Sequence, residues 1–327
     1  MMAEPLTDSL VTEALFSRRS AKPRSLWDDA WRTFRQNRVG FAGFIVGVLV
    51  ILIAIFAPLI APYGYAQQDW NAIGQPPTWA HIMGTDALGR DLFSRVLMGI
   101  RTAVMVAVVV TSLTALIGTL FGAFSALSRG WVDTLGVWLM DTLLAFPTLW
   151  LAAFVSVVAR PTTSRLAASI FKATGWSFMQ DPVLLDYLVV FGSLSLVWWA
   201  GLGRLVRGQV LSIREKEFIE AQRAVGASGW WITTRHLVPN VLGEVIVHMS
   251  NTFGAAMLAE SSLSFLGIGI RPPGAGLGAM IFDGMATWRS QPYLVAMPGL
   301  TLALIVAAFV FMGDGLNDAL NPRVRER

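Results

Sequence analysis

RLVRGQVLSIREKEFIEAQRAVGASGWWITTRHLVPN, residues Arg204–Asn240, holds 6 of the chain's 25 Lys and Arg in 37 residues, yet it lies between two strongly apolar segments. A charged stretch of that length between two apolar runs is read as a loop between membrane spans that docks something on the aqueous side. From Gly208 to Ala224 no Pro or Gly interrupts a set of good helix formers, which predicts one helix. Val210, Leu211, Ile213, Phe218, Ile219 and Ala221 give it a partial apolar stripe at helical spacing. Gly226 follows Val225, and a glycine just past a helix end accepts the left-handed backbone conformation found there. Ser228 is placed to cap a second short helix containing Trp230, Trp231 and Ile232. Pro239 suits the first turn of the next long helix, where its missing N–H is not needed. The predicted order is helix, glycine elbow, short helix, proline, membrane span.

The rest of the composition agrees with a membrane setting. Of 327 residues, 54% are hydrophobic and 14% charged, against about 25% charged in soluble domains. Cysteine is absent, which excludes a disulfide framework, a thiolate metal site and a cysteine nucleophile. An uncharged run from Gly40 to Ile60 is long enough for a helix across a hydrocarbon core of about 30 Å. It is too long and too far from the start for a secretory signal. Further spans are predicted at Thr102–Ser128, Thr142–Ala159, Tyr187–Gly203, Val241–Ala259 and Pro292–Gly313. The expected fold is therefore an all-α integral membrane protein with six transmembrane helices.

Six spans put both termini on one side, and the basic residues say which. The N-terminal arm, the 128–134 turn, the central loop and the tail hold 17 of the 25 Lys and Arg. The opposite loops hold Arg90, Arg95, Arg101, Arg160, Arg165, Lys172, Arg271 and Arg289. Basic residues mark the cytoplasmic side, so the termini and the central loop are expected there.

Residues 1–24 are polar. Ser25 then opens an amphipathic helix in which Trp27, Trp31 and Phe34 alternate with Arg32, Arg35 and Arg38, the pattern of a helix lying on the inner membrane surface against lipid. After the first span Pro58 and Pro62 are expected to stop the helix, with Tyr63 and Tyr65 at interfacial depth. His81 to Arg95 mixes turn residues with opposite charges and predicts a tight external turn feeding a short helix. His81, Asp86 and Asp91 are conceivable metal ligands, but Arg90 and Arg95 offer those carboxylates nearer partners. Gly118 and Gly122 form a small-x-x-x-small pair that permits close helix packing. Asp133 and Asp141 stand about 12 Å apart along a helix, too far for a paired acid–base site. Residues 159–183 are read as an external loop in which Arg160, Arg165, Phe171, Lys172 and Trp176 either meet an external partner or form a plain surface insertion. Glu244 and His248 share a face of the fifth span. The Gly- and Pro-rich run that ends at Gly278 is too irregular for a span and is read as an external cap or gate.

Four segments resemble one family. Glu220, Ala221, Gly226, Ile232 and Pro239 resemble the "EAA" loop of ABC importer membrane subunits, with Gln222 in place of the second Ala and Val238-Pro239 in place of Leu-Pro. His81-x-x-Gly84-Thr85-Asp86-x-x-Gly89-Arg90-Asp91-x-x-Ser94-Arg95 is similar to the signature after the first span in the second permease subunit of dipeptide, oligopeptide and nickel ABC importers. Glu260-Ser261-Ser262-Leu263-Ser264-Phe265-Leu266-Gly267-Ile268-Gly269, with Pro272 and Pro273 after it, resembles the family's E-x-S-L-S-F-L-G-x-G-x-x-P-P segment. Gly313-Asp314-Gly315-Leu316-Asn317-Asp318 to Arg323 resembles its ending, with Asn321 where an Asp is usual. Trp138 stands where the family has a basic residue three before the Asp at position 141, so a salt bridge between those two positions is not carried over.

The resemblance covers about residues 25–323. It implies a type I ABC importer permease fold with an N-terminal cytoplasmic interfacial helix, embedded in a bacterial or archaeal inner membrane. The implied division is an arm at 1–39, the first span and external loop at 40–101, a permease core at 102–313 and a tail at 314–327. Implied partners are a second permease subunit, two ABC ATPase subunits, an extracytoplasmic binding protein and membrane lipid, with no nucleic acid. The coupling residues would be Glu220, Ala221, Arg223, Gly226, Ala227, Ile232, Arg235 and Pro239. The external motif would be Gly84, Thr85, Asp86, Gly89, Arg90, Asp91 and Arg95, and the gate Glu260, Ser264, Phe265, Leu266, Gly267, Pro272 and Pro273. No G-x-x-x-x-G-K-[ST] loop is present to hold ATP phosphates. ATP and Mg would therefore be bound by the partners, and neither cofactor nor catalytic residue is expected on this chain. Peptides are the implied cargo, with nickel chelates, glutathione or other small solutes as alternatives. An ion-coupled secondary transporter is the rival class, but no inverted repeat or mid-span charge chain is apparent. An intramembrane enzyme would need HExxH, GxSxG or a Cys site, and none occurs.

Overall fold

The computed structural model of the chain describes residues 26–128 and 130–320. The expected cap Ser25, Arg129 and the Asn321-Pro322-Arg323 ending lie outside the described residues. Helix α1 (Leu26–Gln36) meets α2 (Arg38–Ile60) at Asn37. The Asn37 side chain accepts the Gly40 N–H at 3.0 Å, satisfying one of the donors a helix start leaves open, and its Nδ2 donates to Asp318 at 3.2 Å. Asn37→Ala is expected to destabilise the fold by about 1 kcal/mol, read as a small fall in the melting temperature of the detergent-solubilised protein.

The remaining elements are α3 (Leu92–Leu127), α4 (Trp131–Ala145), α5 (Thr148–Thr174), a 3-10 turn (Ser177–Gln180), α6 (Pro182–Arg214), α7 (Glu217–Ala224), α8 (Gly229–Ile232), a π-turn (Thr233–Leu237), α9 (Val238–Phe265), α10 (Leu277–Met285) and α11 (Tyr293–Leu320). The described residues hold no strand. Five helices are long and apolar enough to cross a membrane, and α4 with α5 makes a sixth if that bent pair counts as one span.

Helices α3, α6 and α9 form the centre, and the α2–α11 pair closes one flank. Glycine decides how closely they approach. A Cβ on Gly118 would stand 2.9 Å from the Trp199 carbonyl oxygen, and one on Gly122 would collide with that of Gly203. The pair thus lets α3 lie directly on the α6 backbone. At the α2–α11 seam a Cβ on Gly43 would fall 2.6 Å from the Ala308 carbonyl oxygen.

Several expectations are corrected. The third span does not run straight through Thr142–Ala159. It breaks at Phe146-Pro147, where the two helices diverge by 96°, because a residue before proline is pushed to extended backbone, as Phe146 is at φ −94°, ψ 144°. Residues 159–183 are not mainly loop, since α5 continues helically through Pro161 to Thr174. The helix expected over 208–224 breaks at Glu215-Lys216. Helix α2 passes through Pro58 and ends at Ile60. Helix α11 runs on through residues 314–320, and α3 begins at Leu92. Helix α1 is not held by lipid alone: Phe34 is buried beside Gly315, with its ring 6.3 Å from Phe41 and 5.9 Å from Phe44.

Charged clusters mark the two ends of α6. Asp186 lies near one and Arg207 near the other, 21 residues and so about 32 Å apart along a helix. That matches a hydrocarbon core of about 30 Å.

Candidate functional site

The charged segment Arg204–Asn240 is more helical than its composition suggests. Helix α6 carries it as far as Arg214, whose Nη1 donates to the Ala126 carbonyl at 2.7 Å and so caps the end of α3. Helix α7 then follows with one fully buried side chain, Ile219. Ile219 plugs into a cluster with Val210, Ile213, Ile232, Leu237 and Val241. The C-terminus of α7 closes as a Schellman motif: Ala227 N–H donates to Gln222 O and Gly226 N–H to Arg223 O, both at 3.0 Å. Gly226 takes φ +86°, as expected for the elbow.

Beyond the elbow the Ser228 Oγ accepts the Trp231 N–H at 3.2 Å, the expected cap of the short helix. Pro239 stands in the first turn of α9, as expected. Helix α8 is joined to α9 through the π-turn without an intervening loop. His236 sits between Trp231 and Phe218, at ring distances of 5.0 and 6.1 Å. The eight coupling residues therefore divide. Glu220, Ala221, Arg223, Gly226, Arg235 and Pro239 are exposed, Ala227 is half-buried, and Ile232 is buried in the cluster that anchors the segment. Val225, beside the elbow, is 82% exposed. The result is a rigid, solvent-facing ridge seated on the ends of three spans.

The spans near this ridge are tied by two ion pairs. Asp133 on α4 receives Arg207 Nε at 2.9 Å and Nη2 at 2.8 Å, and also the Ser125 hydroxyl at 3.0 Å. Asp141 is 3.2 Å from Arg204 Nη1. The Asp141 pairing that Trp138 does not supply thus comes from α6 instead. A double-mutant cycle with Asp133→Ala and Arg207→Ala is expected to give a coupling of about 1 kcal/mol, the size of a well-formed, part-exposed bidentate pair. Additive melting shifts would show the pair to be inert.

At the far end, His81–Arg95 folds as a compact cap. Asp91 caps α3 by accepting the Ser94 N–H at 2.7 Å, while its other oxygen lies 3.0 Å from His81 Nδ1. Asp86 accepts Arg90 Nε at 2.7 Å and the Leu88 and Arg90 N–H groups, and it lies 3.6 Å from Arg95 Nε. The Thr85 hydroxyl bonds the Ala72 carbonyl. Gly84 and Gly89 take φ +80° and +69°, and a Cβ on Gly89 would collide with Asp69. Tyr293 at the head of α11 donates to the Gln75 carbonyl at 2.9 Å, locking the cap down.

The gate segment is part helix and part loop. Glu260 to Phe265 are the last turns of α9, and Gly278 already belongs to α10, so only 266–276 is irregular. Glu260 is wholly buried and accepts the Ser264 and Ser261 hydroxyls at 2.7 and 3.2 Å. The Ser264 Oγ in turn accepts the Ile270 N–H at 3.1 Å. Phe265 meets Phe282 edge-on at 5.6 Å. Leu266, Gly267, Pro272 and Pro273 are exposed.

Sequence reasoning missed Asp186. Buried at the head of α6, it accepts Arg160 Nη1 at 2.6 Å and Arg271 Nη2 at 3.0 Å. Arg160 Nη2 also reaches the Ile268 carbonyl at 2.6 Å, so the gate loop is fastened to α5 and α6 by one ion cluster.

Residues 118–326 match the family model described as binding-protein-dependent transport system inner membrane component. Residues 25–77 match that for the N-terminal TM domain of oligopeptide transport permease C. The chain is 35% identical over 304 residues to the oligopeptide transport system permease protein OppC of Haemophilus influenzae, covering 92% of this chain and 90% of that protein. It is 33% identical over 307 residues to OppC of Bacillus subtilis, covering 94% and 93%. It is 32% identical over 302 residues to the dipeptide transport system permease protein DppC of the same organism, covering 92% and 87%.

Proposed function

Because this chain belongs to the family of inner-membrane components of binding-protein-dependent transport systems, and specifically to its peptide permeases, we propose that it forms half of the path through which an ABC importer admits di- and oligopeptides. A second permease subunit supplies the other half, two ATPase subunits bind ATP and Mg, and an extracytoplasmic binding protein delivers the cargo. The exposed ridge carries this reading: Glu220, Ala221, Arg223, Gly226 and Val225 face solvent on a segment whose anchors, Ile219 and Ile232, are buried among the spans. A ridge so built transmits a push on its outer face into α6 and α9 without deforming.

In this account Glu220–Pro239 seats in a groove of an ATPase subunit, with Ala227 and Arg235 at its margins. The cap of Gly84, Thr85, Asp86, Gly89, Arg90, Asp91 and Arg95 closes the opposite side, and the gate residues from Glu260 to Pro273 open and shut above the path. Both termini and the ridge face the cytoplasm, as the basic-residue bias requires. The arm 1–39, the entry unit 40–101, the core 102–313 and the tail 314–327 are the working divisions. The chain performs no covalent chemistry.

Affinity purification of the tagged chain in mild detergent, with mass spectrometry of what accompanies it, tests the assembly. Recovery of a second permease and Walker-motif ATPases is expected. A homodimer or monomer that transports in liposomes without ATP would overturn the proposal.

A further inference from the structure

A cavity of about 360 Å³ opens at the far end between the Asp86–Arg95 turn and α10. Four charged side chains, Asp86, Arg90, Arg95 and Asp283, reach it, and Leu92 and Met280 form part of its apolar wall. Two of the four are cations with donors to spare. Arg95 is 1% exposed, yet it makes one long hydrogen bond, Nη1 to the Tyr65 carbonyl at 3.3 Å, and a loose ion pair at 3.6 Å with Asp86. Arg90, also buried, uses its Nε on Asp86. A guanidinium carries five N–H donors in a fixed fork, and both residues line the cavity with only the Tyr65 and Asp86 contacts among the described residues. The fork geometry matches a carboxylate.

The opposite charge is also at hand. Asp283 on α10 has no hydrogen bond or ion pair among the described residues. Burial pushes its carboxyl up from the ordinary value, and Arg95 and Arg90 pull it back only in part. A cation placed next to it would relieve both. The cavity thus offers guanidinium donors for an anion and, close enough to feel their charge, a carboxylate acceptor for a cation.

We propose that this cavity is an entry subsite for a short peptide with free termini, in which Arg90 and Arg95 hold the carboxylate and Asp283 holds the ammonium group. The proposal rests on the peptide-importer function, but it adds that the permease itself, and not only a binding protein, recognises the cargo's charged ends. Asp86 is the positioning residue that orients both guanidinium groups. The apolar wall accepts side chains without choosing among them, so the subsite selects for peptide ends and not for sequence.

The test uses the assembled permease–ATPase complex in lipid nanodiscs, without binding protein or ATP, and tri-alanine as the probe. Binding is measured for tri-alanine, for N-acetyl-tri-alanine and for tri-alanine amide. Each cap is expected to weaken binding about tenfold or more, the loss of one charge-assisted contact. In Asp283→Asn the N-acetyl cap should cost little further, while the amide should still weaken binding. That selective loss separates contact with the ligand from general damage. The same complex, supplied with binding protein and ATP, is assayed for tri-alanine uptake. A complex that imports tri-alanine but shows no binding, or binds all three peptides alike, overturns the subsite and leaves the importer function standing. A complex that imports no peptide overturns both.

Discussion

Gly226→Val is expected to abolish ATP-driven uptake while the chain still inserts and still assembles with its partners. Gly226 sits at φ +86° at the end of α7, a conformation that costs a residue with a Cβ about 1–2 kcal/mol. Apart from its two chain neighbours, no atom of the described residues lies within 4 Å of where that Cβ would be, so the valine Cβ meets no clash there. The fold as a whole should survive a strain of that size. The elbow should not keep its shape, because relieving the strain means breaking the two Schellman bonds to Gln222 and Arg223. Helices α7 and α8 would then lose their fixed angle, and the added isopropyl group would project where the account places the ATPase. Uptake in proteoliposomes, basal ATPase activity and recovery of partners separate these effects. Normal uptake by the variant would remove the elbow from the mechanism.

Asp186→Ala is expected to destabilise the protein by about 2–3 kcal/mol, the cost of removing a buried carboxylate's charge-assisted hydrogen bonds when the guanidinium partners left behind are part-exposed. Its carboxylate is 2% exposed. It receives Arg160 Nη1 at 2.6 Å and, from Arg271, the backbone N–H at 3.0 Å, Nε at 3.2 Å and Nη2 at 3.0 Å. Alanine leaves two guanidinium groups facing each other at the root of the gate loop. Asp186→Asn keeps an acceptor and should lose less. Thermal unfolding in detergent measures both, and a loss under about 1 kcal/mol for the alanine variant, the level of an exposed pair, would show that the cluster is solvated and of little consequence.

The spans were legible in the sequence because a bilayer demands long uncharged runs, and Gly40–Ile60 or Pro292–Gly313 can be little else. The elbow was legible because Gly226 and Ser228 act locally: one relieves a backbone conformation and the other caps the next turn. Where the reading failed, the deciding partner lay elsewhere in the chain. Asp186 looks like a boundary residue next to Tyr187, since its arginines are 26 and 85 positions away. Arg165 and Lys172 made residues 159–183 look like loop, although α5 needs only one apolar edge, at Ala167, to lie against its neighbours. Pro147 marks the break at Phe146-Pro147, while hydropathy, which stays high across it, does not. Ile232, one of the coupling-loop residues, is buried, because the segment needs anchors as much as it needs an outer face.

The central claim is that the ridge 217–239 touches an ATPase subunit and moves with it. The chain contains no cysteine, so Arg223→Cys places a single thiol on the outer face of α7. Disulfide or short-linker cross-linking in the actively transporting complex, with and without ATP, then tests contact directly. The account predicts a cross-link to an ATPase subunit whose yield changes when ATP is bound, and none from a cysteine placed at Trp176 on the far end. No cross-link from position 223 in a complex that is importing peptide would contradict it.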